Sequence, residues 1–421
     1  MNKKKRLIVL LALMALTACS ANKNENFTQD QSSPTITENT SPIITESEIT
    51  LCSASAKDGY YEINQYFDGG SSLTYWDYAN GKNIFLCPNP NCSHDTNTCP
   101  SFFSYATNST MPGGVLVVDN RLLVIQTLAT EKSTPHIDVM DSTGNLIKQI
   151  QGFQASQTLP GSFTSDYYTD GENLYFSIAD VDSESATTVC KIVRVSLTDG
   201  SIDILKEFSD NTLQVNIVAA SGRDLIYRKI SGESVRSIQY QYFTLNADTK
   251  SETPLVLATD NMHGIEFCGQ FIYEYDYNEQ MILVRNLLLS TLYEVHTADL
   301  ENTVTAIHGN IQSKLLFPLS FTNQYCLVGY KYLTPTNEYQ TCYYLLDNTT
   351  GNFREFTLLK TYNESPIDIL AVAENGLAVR VDWVPTETSS PYMLAEELAI
   401  LAPEDYLLSV PNYVNAAMLC L

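Results

Sequence analysis

A local pattern recurs about every 50 residues from Asp58 onward, and it constrains the fold more than any other feature of the sequence. Each copy has a polar residue beside a Gly or Asn, followed by a run rich in Leu, Ile, Tyr or Val. Such a period is typical of arrays in which each repeat folds as one unit and buries its faces against its neighbours. The copies begin at Asp58, Asp119, Asp170, Ser221, Cys268, Thr322 and Glu374, at intervals of 61, 51, 51, 47, 54 and 52 residues.

Further apolar or alternating runs flank each copy, so that four strands fit into each period. VNIVAAS precedes SGRDLIY, for example, and KIVRVSLTDGSIDIL follows DGENLYFSI. The Gly or Asn at the first hairpin supplies a residue that tolerates positive φ. We therefore predict an all-β fold, a β-propeller with seven blades of four antiparallel strands. Six or eight blades, or a pair of β-sandwiches, are the alternatives.

The two ends of the repeat region indicate how the ring closes. ITLCSAS, from Ile49 to Ser55, predicts a strand before the first turn. The segment LAILAPEDYLLSVPNYVNAAMLCL predicts the final strands of the seventh blade, and its PEDYLLSVPNY portion is alternatively a short helix. We expect the N-terminal segment to lie in or beside the last blade.

The first 18 residues have the pattern of a secretory signal peptide. A basic stretch, NKKKR, precedes an apolar run of ten residues from Leu7 to Leu16. That run is shorter than the roughly 20 residues a transmembrane helix needs. Leu16-Thr17-Ala18-Cys19 resembles the lipobox of bacterial lipoproteins, in which the Cys is lipidated and becomes the first residue. We expect Cys19 to hold the protein on the extracytoplasmic face of the cell membrane through acyl chains such as palmitate; the alternative is an ordinary secretory cleavage nearby.

The residues after Cys19 are dominated by Asn, Thr, Ser, Glu, Gln and Pro, a composition that cannot bury enough apolar surface to fold. We therefore divide the chain into a signal peptide (1–18), a lipid-anchored disordered tether (19–46) and a propeller (47–415). Without the signal peptide, 20 Lys and Arg face 48 Asp and Glu, a net charge of −28. So acidic a chain argues against binding nucleic acid.

The stretch CPNPNCSHDTNTCP, at 87–100, is the most chemically distinctive segment. Its four candidate ligands are Cys87, Cys92, His94 and Cys99. Three thiolates and one imidazole form the donor set of a closed, structural zinc site, although the spacing is not that of a standard zinc finger. Because the segment lengthens the first repeat to 61 residues, we expect an insertion at the outer edge of the first blade.

A disulfide is the alternative for this insert, since proteins outside the membrane commonly oxidise their thiols. Three cysteines leave one unpaired, however, and the other cysteines of the propeller are dispersed. Cys326 and Cys342 would face one another if their hairpin turned about Thr334, where a bridge would demand specific geometry.

The overall pattern resembles the propeller-bearing lipoproteins of Gram-positive bacteria, over roughly residues 45–415. The lipobox, the repeated DG-x-x-L-Y/F turn, the Cys/His insert and the terminal ILAPEDYLLSVPNY carry the resemblance. The molecular function of that family is largely unassigned, so the resemblance implies a fold and a location.

Motifs of hydrolases, metalloproteases and nucleotide-binding proteins are missing from the sequence. Outside the insert, the histidines are scattered singly at His136, His263, His296 and His308. We therefore expect a non-catalytic scaffold that binds a protein, peptide or glycan through the ring face. The alternatives are a propeller hydrolase or lyase with its site in the central channel, and a sensor or accessory subunit of a membrane complex. Tyr-rich stretches such as YEYDYNEQ form either a ligand platform or, more simply, packing between blades.

Overall fold

In the computed structural model, seven antiparallel sheets follow one another along the chain, which confirms the predicted seven-bladed β-propeller. Each blade has four strands in sequence order, and two blades carry short additional strands. The structure describes residues 45–46, 53–65, 70–96, 98–104, 112–127, 133–159, 167–182, 187–208, 212–232, 238–258, 264–385 and 394–420.

Of the first three blades, the first and the third carry the additional strands. The first blade contains β2 (Ser53–Ser55), β3 (Gly59–Gln65), β4 (Gly70–Asp77), β5 (Asn83–Phe85) and β6 (Phe102–Ser104). The second contains β7 (Pro112–Val118), β8 (Arg121–Gln126), β9 (His136–Asp141) and β10 (Leu146–Ile150). The third contains β12 (Tyr168–Thr169), β13 (Asn173–Asp182), β14 (Thr187–Ser196) and β15 (Ile202–Phe208), with β1 (Thr45–Glu46) and β11 (Gln157–Thr158) added.

The remaining four blades have four strands each. The fourth contains β16 (Thr212–Ser221), β17 (Asp224–Ser231), β18 (Gln239–Asn246) and β19 (Glu252–Leu255). The fifth contains β20 (Ile265–Cys268), β21 (Phe271–Asp276), β22 (Met281–Asn286) and β23 (Thr291–His296). The sixth contains β24 (Ile311–Leu319), β25 (Thr322–Leu333), β26 (Tyr339–Asp347) and β27 (Phe353–Glu355). The seventh contains β28 (Asp368–Ala373), β29 (Gly376–Pro385), β30 (Leu394–Leu401) and β31 (Val414–Cys420).

The middle strands of a blade are apolar on both faces because each face packs against a different neighbour. In β8, Leu122 and Val124 pack in the core shared with the first blade. Leu123 and Ile125 point the other way and pack in the core shared with the third blade. Since successive side chains of a strand point to opposite faces, one short run of sequence contributes to two cores.

Seven buried apolar clusters hold the described part of the ring together, one at each interface between blades. Six of them join consecutive blades along the chain. The remaining cluster joins the first blade to the seventh and contains Trp76 and Leu398, both fully buried. Ring closure therefore depends on packing between two complete blades.

Each predicted repeat position lies at the turn that leads into the second strand of a blade. Five of these turns contain a residue with positive φ, as the Gly and Asn pattern predicts: Asp119, Gly171, Gly222, Gly269 and Gly376. The turn between the third and fourth strands also recurs. There an Asp or Asn side chain accepts the backbone N–H two residues later, at 2.8 to 3.1 Å, in the turns that begin at Asp77, Asp141, Asn246, Asn286 and Asp347.

Two short helices interrupt the strands in the described residues. Helix α1 (Ala298–His308) connects the fifth blade to the sixth. Helix α2 (Pro403–Leu408) lies between β30 and β31, so the helical alternative for PEDYLLSVPNY is correct for its first half. Neither helix has the length and apolarity that crossing a membrane would require.

The N-terminal segment does not join the last blade. Instead, β2 pairs with β3 as the first strand of the first blade, and all four strands of the seventh blade come from the C-terminal part of the chain. The segment thus lies beside the seventh blade without exchanging a strand with it. Farther upstream, β1 pairs with β12 at the edge of the third blade.

The interface between the first and seventh blades, here called the seam, has an apolar half and a polar half. Glu62 of β3 and Glu396 of β30, both at most 3% exposed, hydrogen-bond to each other across the polar half. Arg380, also buried, places Nη2 2.9 Å from Glu396 and donates from Nη1 to Asp368 at 3.0 Å. Burial and the charge of Glu396 raise the pKa of Glu62 well above its usual value, and burial likewise raises the pKa of Glu396. Both carboxyls are therefore harder to ionise in the folded protein than in the unfolded chain.

We expect Glu62→Gln to stabilise the protein at alkaline pH by about 1–3 kcal/mol and to have little effect near pH 4. A carboxyl whose pKa is higher in the folded chain stabilises the fold while it is protonated, and this contribution is lost as the pH rises through the folded pKa. The Gln amide keeps a donor towards Glu396 and cannot ionise. Thermal unfolding midpoints measured by circular dichroism from pH 4 to pH 9 test this.

The control for this substitution is Glu172→Gln, which changes an exposed carboxylate in a turn of the third blade. Its unfolding midpoint should follow that of the wild type at every pH. An equal effect of Glu62→Gln on the unfolding midpoint at pH 4 and pH 8 would show that ionisation of Glu62 does not affect seam stability.

Candidate functional site

The Cys/His insert lies at the outer edge of the first blade, as predicted. Strands β5 and β6 both pair with β4 and together occupy the position of the fourth strand. Between them, the backbone of Leu73 accepts a hydrogen bond from Leu86 at 3.0 Å and donates one to Ser101 at 2.8 Å. The insert is therefore a loop that leaves and re-enters the sheet beside a single residue of β4.

Tight turns bring the four predicted ligands back to one point. Cys92 donates its backbone N–H to Asn89 at 3.2 Å, and Cys99 donates to Thr96 at 2.9 Å. His94 has a φ of 59°, a left-handed conformation that is uncommon for a residue with a Cβ. Its imidazole stacks on Phe85 with centroids 4.5 Å apart, which fixes the His94 side chain against the end of β5.

The thiols of Cys87, Cys92 and Cys99 and an imidazole nitrogen of His94 all lie within 4.8 Å of one another. Nδ1 of His94 is 3.4 Å from Sγ of Cys99. Ligands about 2.3 Å from a tetrahedral zinc ion stand roughly 3.8 Å apart, so small side-chain movements would close the group around an ion. These residues form a candidate metal centre with a closed, sulfur-rich donor set.

The electrostatic environment differs among the thiols of this centre. Burial raises the pKa of Cys87 to about 11, partly opposed by a hydrogen bond with the backbone of Asn89. Burial also acts to raise the pKa of Cys99, but hydrogen bonds with Ser101 and His94 outweigh it and lower the pKa to about 7. Cys99 is thus the thiol most ready to bind as a thiolate.

All three cysteines of the insert are free thiols, so the disulfide alternative for the insert is not realised in this structure. The proposed pairing of Cys326 with Cys342 is wrong because their hairpin turns two residues later than Thr334. Cys326 lies opposite Leu346, and Cys342 lies opposite Tyr330. Cys19, the predicted lipidation site, and Cys52 lie outside the described residues.

His136 lies near a serine and a carboxylate that the sequence spacing did not single out. Its Nε2 is 3.6 Å from Asp138, and its Nδ1 is 3.4 Å from the hydroxyl of Ser133. However, Nδ1 is 2.8 Å from the carbonyl oxygen of Thr134, which can only accept a hydrogen bond. Nδ1 therefore carries the proton and cannot act as the base for Ser133, so these residues are not a catalytic triad.

A cavity of about 950 Å³ opens between the fourth, fifth and sixth blades, beside α1. It is lined by Arg228, Ile265, Glu266, Tyr277, Glu301, Thr305, Asn310, Ile311, Gln312, Ser313, Lys314 and Leu315. These residues come from β17, from the first strands β20 and β24, from the turn after β21, and from α1 and its C-terminal connection. First strands of neighbouring blades contact each other, so the cavity lies towards the axis of the ring.

Glu301 and Lys314 form a fixed pair on one wall of this cavity. Their charged atoms are 2.6 Å apart, and Tyr275 donates its hydroxyl to Glu301, also at 2.6 Å. Burial raises the pKa of Glu301, but the hydrogen bonds with Lys314 and Tyr275 outweigh it and lower the pKa. This pair ties α1 to the sixth blade, and its charges neutralise each other.

Arg228 and Glu266 are the other two charged residues of the cavity, and neither forms an ion pair within the described part of the chain. The side chain of Glu266 is exposed on β20, but nearby protein atoms still remove part of the solvent around its carboxyl. This partial burial raises the pKa of Glu266 to about 7, against the opposing charge of Arg228. The cavity therefore holds one permanent positive charge and one carboxyl that titrates near neutral pH.

The tyrosine clusters mainly pack between blades, as the simpler interpretation predicts. Tyr273, Tyr275 and Tyr330 are fully buried. Tyr277 is the exception, because it lines the cavity while stacking on Tyr275 with ring centroids 4.8 Å apart. The sequence did not single out Arg228 or Glu266; Glu266 interrupts the short apolar strand β20, and Arg228 is one of several charged residues of β17.

No protein-family model matches this sequence, and no curated protein matches it. Among solved structures, the chain is similar to an oligogalacturonate lyase from Vibrio parahaemolyticus, at 8% identity over 82% of this chain and 88% of that one, with a TM-score of 0.42. It is similar to an uncharacterized protein from Listeria monocytogenes, at 11% identity over 81% and 89%, with a TM-score of 0.43. It is also similar to an oligogalacturonate lyase in complex with manganese, at 10% identity over 86% and 91%, with a TM-score of 0.45. Likeness this distant implies nothing about the chemistry of this chain.

We expect Cys99→Ala to lose most of the metal that the purified protein carries and to lower its thermal unfolding midpoint. Removing one of four ligands opens the centre, and Cys99 is the most buried of the three cysteines, at 2% exposed. Elemental analysis of protein purified without chelator, together with a melting curve, tests this.

Cys342→Ala is the matched control because it removes a thiol from the sixth blade, outside the centre. It should leave the metal content unchanged. Equal metal content in Cys99→Ala and the wild type would rule out the four-residue centre.

Proposed function

We propose that this protein is a membrane-anchored, non-catalytic propeller that binds a protein, peptide or glycan at its ring face. The observation that carries this proposal is the cavity of about 950 Å³ between the fourth, fifth and sixth blades. A volume of this order is typical of small-molecule sites, which usually measure about 300–1,000 Å³. It would suit one or two sugar units or the end of a peptide.

The lining of the cavity supports selective binding. Ile265 and Leu315 offer apolar surface, while Gln312 and Ser313 offer hydrogen-bonding groups. Leu315 is 41% exposed although it lies on a first strand, so a ligand would remove apolar surface from water. The pairing of Glu301 with Lys314 keeps one wall rigid, which reduces the ordering cost of binding.

A hydrolase or lyase is the second candidate function, and one observation favours it. Glu266 has a pKa of about 7, which suits a general acid or base at neutral pH. Its position beside the permanent charge of Arg228 suits stabilisation of a developing negative charge. Glu266→Gln separates the two functions, because it would abolish turnover of a substrate but leave binding of a ligand in place.

We further propose that the Cys/His centre binds zinc and is structural. Three thiols and one imidazole match the preference of zinc, and four protein ligands leave no open position for catalysis. The metal would close the insert that interrupts the outer strand of the first blade. We expect about one zinc ion per chain in protein purified without chelator.

The membrane anchor rests on the sequence around Cys19. A basic stretch, an apolar run of ten residues and Leu16-Thr17-Ala18-Cys19 stand in the order of a lipoprotein signal. Lipid on Cys19, followed by a polar tether, would hold the propeller near the extracytoplasmic surface of the membrane.

Filling the cavity should abolish ligand binding. Leu315→Trp places a large ring in the cavity, whereas Leu292→Trp enlarges a residue with the same 41% exposure on the outer strand β23. We expect the glycans or peptides that bind the wild type on an array to bind Leu292→Trp equally well. They should no longer bind Leu315→Trp. Equal binding to both variants, or no binding to the wild type, would contradict the proposal.

Replacing Cys19 should release the protein from the membrane. We expect Cys19→Ala to leave the membrane fraction and to lose incorporation of labelled palmitate in cells, because no acyl chain would be attached. Cys52→Ala, a cysteine near the start of the propeller, is the control and should stay membrane-bound. Equal fractionation of Cys19→Ala and the wild type would refute the anchor.

A further inference from the structure

Arg228 of the fourth blade lines the cavity, and its guanidinium forms no ion pair with the described residues. It lies directly opposite Tyr242 in the sheet and hydrogen-bonds to that tyrosine. Its Nε is buried and has no hydrogen-bond partner among the described residues. Because this atom is closed off from solvent, a ligand in the cavity can reach only the terminal Nη groups, and no ion pair with a described residue occupies them.

The geometry of the guanidinium indicates which acceptor fits. The two terminal Nη groups form a planar edge that binds both oxygens of a carboxylate at once. A phosphate also fits such an edge, but Glu266 lies close enough to Arg228 to interact with its charge. A second negative charge on the ligand would be repelled there when Glu266 is ionised, so a singly charged group is favoured.

We infer that Arg228 anchors a carboxylate-binding subsite in this cavity, and that the ligand is a small acid with a neutral, polar body. The inference rests on the proposed binding function and deepens it. A sugar acid and the C-terminus of a short peptide share this chemistry. Asn310, Gln312 and Ser313 supply hydrogen-bonding groups for the body, and Leu315 supplies apolar contact.

Glu266 makes the subsite sensitive to pH. Its carboxyl donates a hydrogen bond when protonated and repels a carboxylate when ionised, so affinity should fall as the pH rises through about 7. The other charged groups on the walls, Glu301 and Lys314, are already paired with each other. His308 is the last residue of α1, the helix that lines the cavity, and its imidazole stacks on Tyr332. It is therefore the other described residue to be tested as a source of the pH dependence of binding.

The test is isothermal titration calorimetry of the full chain in detergent with two acids and their neutral counterparts. D-Glucuronate is compared with D-glucose, and N-acetyl-dialanine is compared with its amide. At pH 6 we expect one acid to bind at least tenfold more tightly than its counterpart, and the acid that does so identifies the source. Arg228→Gln should lose this preference, and Arg228→Lys should keep little of it, because a Lys ammonium cannot form the planar two-bond contact.

Arg354→Gln is the matched control, since it removes an exposed arginine from β27 of the sixth blade. It should bind like the wild type. Equal affinity of Arg228→Gln and the wild type for the acids would overturn the inference. If neither acid binds but array ligands still bind in a Leu315-dependent way, the carboxylate subsite is wrong and the proposed function stands. If nothing binds, both fail.

The pH dependence provides a second readout that misfolding of a variant would not imitate. From pH 6 to pH 8, the affinity of the wild type for the acid should fall by about fivefold or more. Glu266→Gln should remove this fall, while His308→Gln should preserve it. Loss of the pH dependence in His308→Gln alone would assign the effect to the helix and contradict the role given to Glu266.

Discussion

The whole architecture depends on strands that bury both faces at once. A single blade would expose apolar side chains to water on each side, so no blade is stable until a neighbour covers it. The alternation in β8, where Leu122 faces one core and Leu123 the next, is the elementary form of this constraint. Because each added blade brings a new apolar face that must be buried, only a closed ring buries both faces of every sheet. The candidate metal centre lies at the outer edge of this ring and the cavity lies towards its axis, both outside the packed faces between blades.

The features that follow from local chemistry were predictable from the sequence. Positive φ at Gly171 and Gly222 follows from hairpin geometry, and those turns marked the repeat. The position of the Cys/His insert followed from the length of the first repeat, because extra residues in a propeller must leave the sheet where no neighbouring blade packs. The convergence of Cys87, Cys92, His94 and Cys99 followed from short, turn-rich spacers.

The features that depend on register and on ring closure were not predictable. A displacement of two residues in the turn between β25 and β26 was enough to separate Cys326 from Cys342. Arg228 and Glu266 come from different blades and meet only when the ring assembles, so no spacing in one sequence reveals them. The same holds for Glu62 and Glu396, which are more than 300 residues apart and hydrogen-bond across the seam. The N-terminal strand lies beside the last blade and not in it, because apolar packing and hydrogen bonds across the seam close this ring without an exchanged strand.

The polar half of the seam also bears on how the chain matures during synthesis. Domains fold from the N-terminus as the ribosome proceeds, so the first blade emerges while the seventh is still untranslated. Its face towards the seventh blade then stays exposed to solvent while roughly 300 further residues are translated. Glu62, Asn64, Ser72 and Thr74 lie on that face, and they are all buried in the finished ring. These polar side chains make part of the uncovered face hydrophilic, which lowers the risk that the first blade aggregates through that side before the seventh blade is made.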